Sequence, residues 1–222
     1  MSSLATQKSP RLEVIAMLGD AVAAADALLD DARRAVADRV MVDGRTVLRL
    51  LDSEQRATHG LAWLATYVEA LRQLADTGQR LADSGSFSET EELLLRIGAG
   101  EYLAQMLGGI PMSQGEIVRL SDLGLSAAAV AARVNPAMEH LIATGNTAQR
   151  RARLVELMRH HRHDATVGAC GLDDTLDSIR EEMRKFAEDR IAPYAQEWHL
   201  SNDYIPLDVI SQMAELGVFR LT

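Results

Sequence analysis

The 222-residue sequence has a single cysteine, Cys170, which excludes an internal disulfide and fits a reducing compartment. Aromatic residues make up only 4% and prolines number 5, so the aromatics that favour strands are scarce and few positions forbid a helix. No apolar run approaches the roughly 20 residues that span a bilayer, and the opening MSSLATQKSP lacks the apolar centre of a secretory signal. Positive charge is short as well. With 23 Lys+Arg against 32 Asp+Glu the net charge is −9, which argues against general nucleic-acid binding, since that relies on a basic face. The expectation is a soluble cytoplasmic protein with neither nucleic acid nor membrane as a partner.

What is present points to one fold class. Alanine, which loses no side-chain entropy in a helix, occurs 33 times. Apolar residues at 47% and charged residues at 25% are ordinary globular values, so the chain can bury a core. The class is all-α. Charge then divides the chain: residues 1–145 carry −6, residues 146–171 carry +3 and residues 172–222 carry −6. The basic middle runs into DATVGACG, small residues without apolar periodicity, which predicts a helical part over 1–165, a linker over 166–171 and a second part over 172–222.

Helix punctuation is legible along the first part. Ser9-Pro10 opens an Ala-rich helix to about Val42, and Asp43-Gly44 makes a turn. A second helix starts near Asp52 and puts His59, Trp63, Tyr67, Leu71 and Leu74 on one stripe. Ser88 with Glu91 is a capping box for a third helix, which runs through Leu94, Ile97 and Tyr102 to a Gly108-Gly109 stop. Ser113 with Glu116 repeats that signature and predicts a further short helix. Short helices are expected near 126–134 and 136–143, split by Asn135-Pro136, and a longer one over about 147–162. Short loops make the whole an antiparallel bundle. In the last part an acid-capped helix carries Leu176, Ile179, Met183 and Phe186 on one face and kinks or ends near Pro193. Pro206 opens another helix, Gly217 stops it, and VFRLT reads as the start of a strand.

Several motifs invite a chemical reading, and each has a plainer one. His160, His161 and His163 beside Asp164 do not share a helical face and are flanked by Arg159 and Arg162, so a solvated basic linker is preferred over a metal site. Gly98, Gly100, Gly108 and Gly109 lie inside or after a helix instead of between a strand and a helix, which favours close packing and a C-cap over a phosphate loop. Trp63 and Tyr67, one turn apart on the apolar stripe, read as core. Cys170 has no base near it in sequence. The stretch 121–142 resembles a helix-turn-helix only superficially, because its second helix has Arg133 as its sole cation. The acid pairs Glu181-Glu182 and Glu188-Asp189 sit on a polar helix face. No catalytic, cofactor-binding or metal-ligating residue is assigned.

The order Arg184, Phe186-Ala187, Ile191-Ala192-Pro193, Glu197-Trp198, Pro206 and Glu215-Leu216-Gly217-Val218-Phe219 resembles the opening of the flavin-dependent acyl-CoA dehydrogenase family. The resemblance covers residues 172–222 and implies the first two helices of that family's N-terminal helical domain, cut short at Thr222. The stretches ATYVEALRQ and GEYLAQMLGGIPMSQGEI are similar to the helical extension of the branch that acts on methylsuccinyl-CoA, in the ethylmalonyl-CoA route. The resemblance thus implies an oxidoreductase that uses FAD, an acyl-CoA substrate, an electron-transfer acceptor and a homo-oligomer. It also implies that the flavin-holding and catalytic residues lie outside this chain, which is expected to be inactive alone. The competing expectation is a non-catalytic helical module for oligomerisation or partner docking.

Overall fold

The computed structural model describes residues 13–160 and 167–220, arranged as two compact units, Met1–Gly171 and Leu172–Thr222. The Ser9-Pro10 cap, His161, His163, Asp164 and the last two residues of VFRLT lie outside the described residues.

In the first unit α1, Glu13–Val40, buries Val14, Leu18, Ala21, Ala25, Leu28, Ala32 and Val36, a three-and-four spacing that keeps one stripe turned inward. A hairpin follows in which β1, Met41–Val42, pairs antiparallel with β2, Arg45–Thr46. Asp43 and Gly44 both take positive φ, 50° and 73°, as a two-residue primed turn requires. After the short α2, Leu48–Ser53, comes α3, Gln55–Asp83, and then α4, Glu89–Gly108, behind a loop short enough to lay the two antiparallel. The capping box that opens α4 is complete: Thr90 N–H donates to Ser88 Oγ at 3.1 Å and Ser88 N–H donates to Glu91 Oε2 at 2.8 Å.

The seam of α3 lies one step round from the expected stripe. Ala57, Gly60, Leu64, Val68 and Leu71 are buried together with Tyr67, whereas Trp63 is half-buried and His59 is exposed. Small residues at 57 and 60 let a neighbour approach closely: a Cβ on Gly60 would lie 2.4 Å from Val118 Cγ2. That neighbour is the second correction. Ser113 and Glu116 do not cap a helix. They close a hairpin between β3, Ile110–Ser113, and β4, Glu116–Val118, with Ile110 and Val118 paired and buried on the core. Gly115 at φ 75° completes the turn, so the Ser-x-x-Glu spacing here brackets a reversal and not a first helical turn.

Beyond it, Leu120, Leu123 and Leu125 tuck into the core, and α5, Ala127–Ala131, and α6, Pro136–Thr144, follow with Ser126 and Asn135 as caps. Gly145 and Gly100 meet where α6 ends against α4: a Cβ on Gly100 would lie 2.7 Å from the Leu141 carbonyl oxygen. The last helix of the unit, α7, Ala148–His160, packs along α4 without burying any residue fully.

The second unit holds α8, Asp174–Arg190, capped by Asp173, then α9, Ala192–Ser201, with Pro193 in its first turn, and α10, Leu207–Glu215, opened by Pro206. Gly217 ends α10 at φ 82°. Val218–Arg220 is a 3-10 turn, so the expected strand start is corrected: positive φ at Gly217 reverses the chain into a tight turn.

Candidate functional site

The second unit presents ion-paired polar side chains and exposed apolar ones. Its acids are occupied along the helix: Arg184 is held between Glu181 and Glu188, and Lys185 Nζ reaches Glu182 at 2.9 Å. The Arg184 guanidinium hydrogen-bonds Glu181 and lowers its pKa, and the two carboxylates raise that of Arg184. Glu181, Glu182 and Glu188 thus act as ion-pair partners on a polar face. The unit also leaves large apolar side chains open. Tyr194 stacks on Trp198 with centroids 5.9 Å apart, while Tyr204 is 95% exposed, Leu207 81% and Leu200 75%. Such a surface can cover, or be covered by, another apolar surface. Apart from its scale, nothing local in the sequence separates these positions from core residues.

In the first unit the candidate motifs resolve into structure. Gly100 is needed for helix contact and Gly109, at φ 137°, for leaving α4; Gly98 faces only the side chain of Leu74. Tyr67 is buried edge-on to Tyr102 at 5.0 Å and donates to Gln105, and burial pushes its hydroxyl pKa up. Trp63 Nε1–H donates to His59 Nε2 at 3.0 Å. Arg133, the one cation of the 121–142 stretch, is forked onto Asp31, with Nε–Oδ2 at 2.7 Å, which leaves nothing to grip a phosphate backbone. His160 is exposed at the end of α7, and no group of three metal-ligating side chains converges among the described residues. Cys170 is half-buried.

Sequence reasoning missed the second role of Glu91. This buried carboxylate caps Ser88 with one oxygen, and with Oε1 it accepts the Ala169 N–H at 2.7 Å. Burial raises its pKa, but the hydrogen bonds from Ser88 and Ala169 outweigh that and hold it below the usual range. Residues 167–171 are thereby fastened to the start of α4, with Gly168 and Gly171 at φ 79° and 60°. The signal is a capping Glu whose second oxygen has no local donor, and only the tertiary fold supplies one.

Residues 173–222 match the family of the acyl-CoA dehydrogenase N-terminal domain. This bears out the resemblance carried by the Arg184-to-Phe219 order. The likeness extends into the first unit as well. The (2S)-methylsuccinyl-CoA dehydrogenase of Cereibacter sphaeroides is 45% identical over 210 residues, which cover 95% of this chain and 38% of that protein. The chain therefore spans well under half the length of that relative. No helix among the described residues is long and apolar enough to cross a membrane.

Three open grooves among the described residues do not fit a flavin. An isoalloxazine needs an apolar slot and its pyrophosphate a cluster of donors at a strand-to-helix turn. The grooves measure about 370, 480 and 700 Å³ and are lined mostly by polar and charged side chains, with Leu51, Leu93 and Ala143 as their apolar residues.

Proposed function

We propose that this chain is the N-terminal portion of an FAD-dependent acyl-CoA dehydrogenase whose substrate is methylsuccinyl-CoA. Residues 1–165 are then a helical extension, 166–171 a connecting segment and 172–222 the opening of the family's N-terminal domain. The observation that carries this reading is the 45% identity running through both units to a methylsuccinyl-CoA dehydrogenase of which this chain spans 38%. The open apolar face around Leu200, Tyr204 and Leu207 supports it, because helices of this kind want a cover that the second unit does not supply. In this reading the reaction is α,β-dehydrogenation of an acyl thioester. The groups that hold FAD, take the proton and pass electrons to an acceptor belong to the rest of the longer protein, a cytoplasmic homo-oligomer. The 222-residue chain alone is inactive.

The test is the native gene product purified from its source cells. A yellow protein of more than twice this chain's mass, reducing an electron acceptor with methylsuccinyl-CoA, is the expected result. A colourless protein of 222 residues would overturn it and leave the helical docking module. Acyl-CoA-dependent acceptor reduction by the 222-residue chain itself would remove the claim of inactivity.

A further inference from the structure

A groove of about 370 Å³ lies where α6 ends and α7 begins, over α4, lined by Leu93, Thr144, Thr147, Gln149, Arg150 and Arg153. Two arginines line it and no carboxylate does among the described residues, in a chain whose net charge is −9. The two arginines differ in what they hold. Arg153 is committed: Nε and Nη2 fork onto Glu89 at 2.8 and 2.9 Å, and Nη1 reaches Glu156 at 3.0 Å. The Arg150 guanidinium is half-buried and has no hydrogen-bond or ion-pair partner among the described residues. The buried Arg96 spends its Nε on Glu92 at 2.9 Å; burial first, and then repulsion by Arg96, push the Arg150 pKa down, and the Glu92 carboxylate only partly offsets them. Thr147 Oγ1 accepts the Arg150 N–H at 3.2 Å, which leaves the hydroxyl proton of Thr147 to donate outward. The Gln149 amide stands beside it, exposed.

From this guanidinium without a hydrogen-bonded or ion-paired carboxylate, in a groove that no carboxylate lines among the described residues and that Thr147 and Gln149 also line, we infer that the groove binds a phosphate group. A carboxylate would satisfy the arginine fork alone. Three phosphate oxygens can engage the fork, the Thr147 hydroxyl and the Gln149 amide together. The positive end of the α7 dipole adds to the same field.

The test is calorimetric titration of the 222-residue chain at low ionic strength with inorganic phosphate, pyrophosphate and malonate. Saturable binding of one or both phosphates, tighter than malonate, is expected; which of the two binds better tells a free phosphate from a phosphoanhydride. Arg150→Gln weakens binding by roughly tenfold or more, as for loss of a charge-assisted fork. Arg150→Lys, which keeps charge and fold but loses the fork, weakens it less. Arg33→Gln removes the same charge at an exposed position on α1 and leaves binding unchanged. Absence of saturable binding, malonate binding as tightly as phosphate, or equal loss in Arg33→Gln and Arg150→Lys would each overturn the inference.

Discussion

The two units are built from the same kind of helix and end in opposite states. In the first, the stripes of α1, α3, α4 and α6 face one another, and Leu18, Leu64, Leu71, Leu103 and Leu141 are shut away from water. In the second, α10 is as clearly amphipathic as α1, yet among the described residues of that unit Val209 alone is buried. Amphipathicity says which face needs a cover; it does not say that the cover is nearby. Burying a leucine is worth about 1.5–3 kcal/mol, so Leu200 and Leu207 leave several kcal/mol unrealised in this chain. The first unit supplies its own partner surfaces, and the second leaves its apolar side chains largely exposed.

The sharpest way to break that contrast is a cavity in the closed core. Leu103→Ala is expected to lower the unfolding free energy by about 3 kcal/mol, within the range for fully buried leucines, in urea denaturation followed by circular dichroism. A loss below about 1 kcal/mol would mean that the first unit is as loosely covered as the second.

Next comes the contact of α4 with the end of α6. Gly100→Ala adds a methyl 2.7 Å from the Leu141 carbonyl oxygen and 3.0 Å from the Asn146 nitrogen, both backbone and unable to give way cheaply. We expect a loss of about 2 kcal/mol despite the better helix propensity of alanine. Gly98→Ala, two residues earlier, meets only Leu74 Cδ1 at 3.4 Å and is expected to stabilise by about 0.5–1 kcal/mol. Opposite signs in the same helix test whether the crossing, and not glycine itself, carries the effect.

Much of this was written in local signals, and the misses share a cause. Asn135-Pro136, Ser88 with Glu91 and the Pro193 break all act within one turn, and each stands where the sequence placed it. Ser113 with Glu116 has the spacing of a capping box, but Gly115 and the pairing of Ile110 with Val118 decide for a hairpin, a choice that depends on residues beyond the box. The Arg133–Asp31 ion pair, 102 residues apart, and the hold of Glu91 on Ala169, 78 apart, depend on how the helices assemble. For the face of the second unit, the sequence shows the apolar stripe, but exposure depends on which surfaces pack against it, and among the described residues of that unit only Val209 is buried.

Glu91 gives a smaller effect with a pH signature. Glu91→Gln removes a charged acceptor for Ser88 and Ala169 and is expected to cost about 1 kcal/mol at neutral pH. Because the folded carboxyl titrates below its unfolded value of about 4.3, the stabilisation is present above that pH and fades as pH falls through the folded value. The gap between wild type and Glu91→Gln should therefore close in acid. A gap that is constant from neutral pH to below 4 would show that charge plays no part.

The smallest effect is expected in the second unit. Leu207 is 81% exposed, so Leu207→Ser removes little buried area and should change the stability of this chain by no more than about 0.5 kcal/mol. The same substitution should reduce binding of a hydrophobic dye, because an open apolar side chain has gone. In the proposed longer protein the expectation reverses: if Leu207 is covered there, its replacement costs about as much as a core leucine. Equal and negligible effects in both would mean that this face stays open in the whole protein, and the contrast between the units would then reflect their own construction and not a missing neighbour.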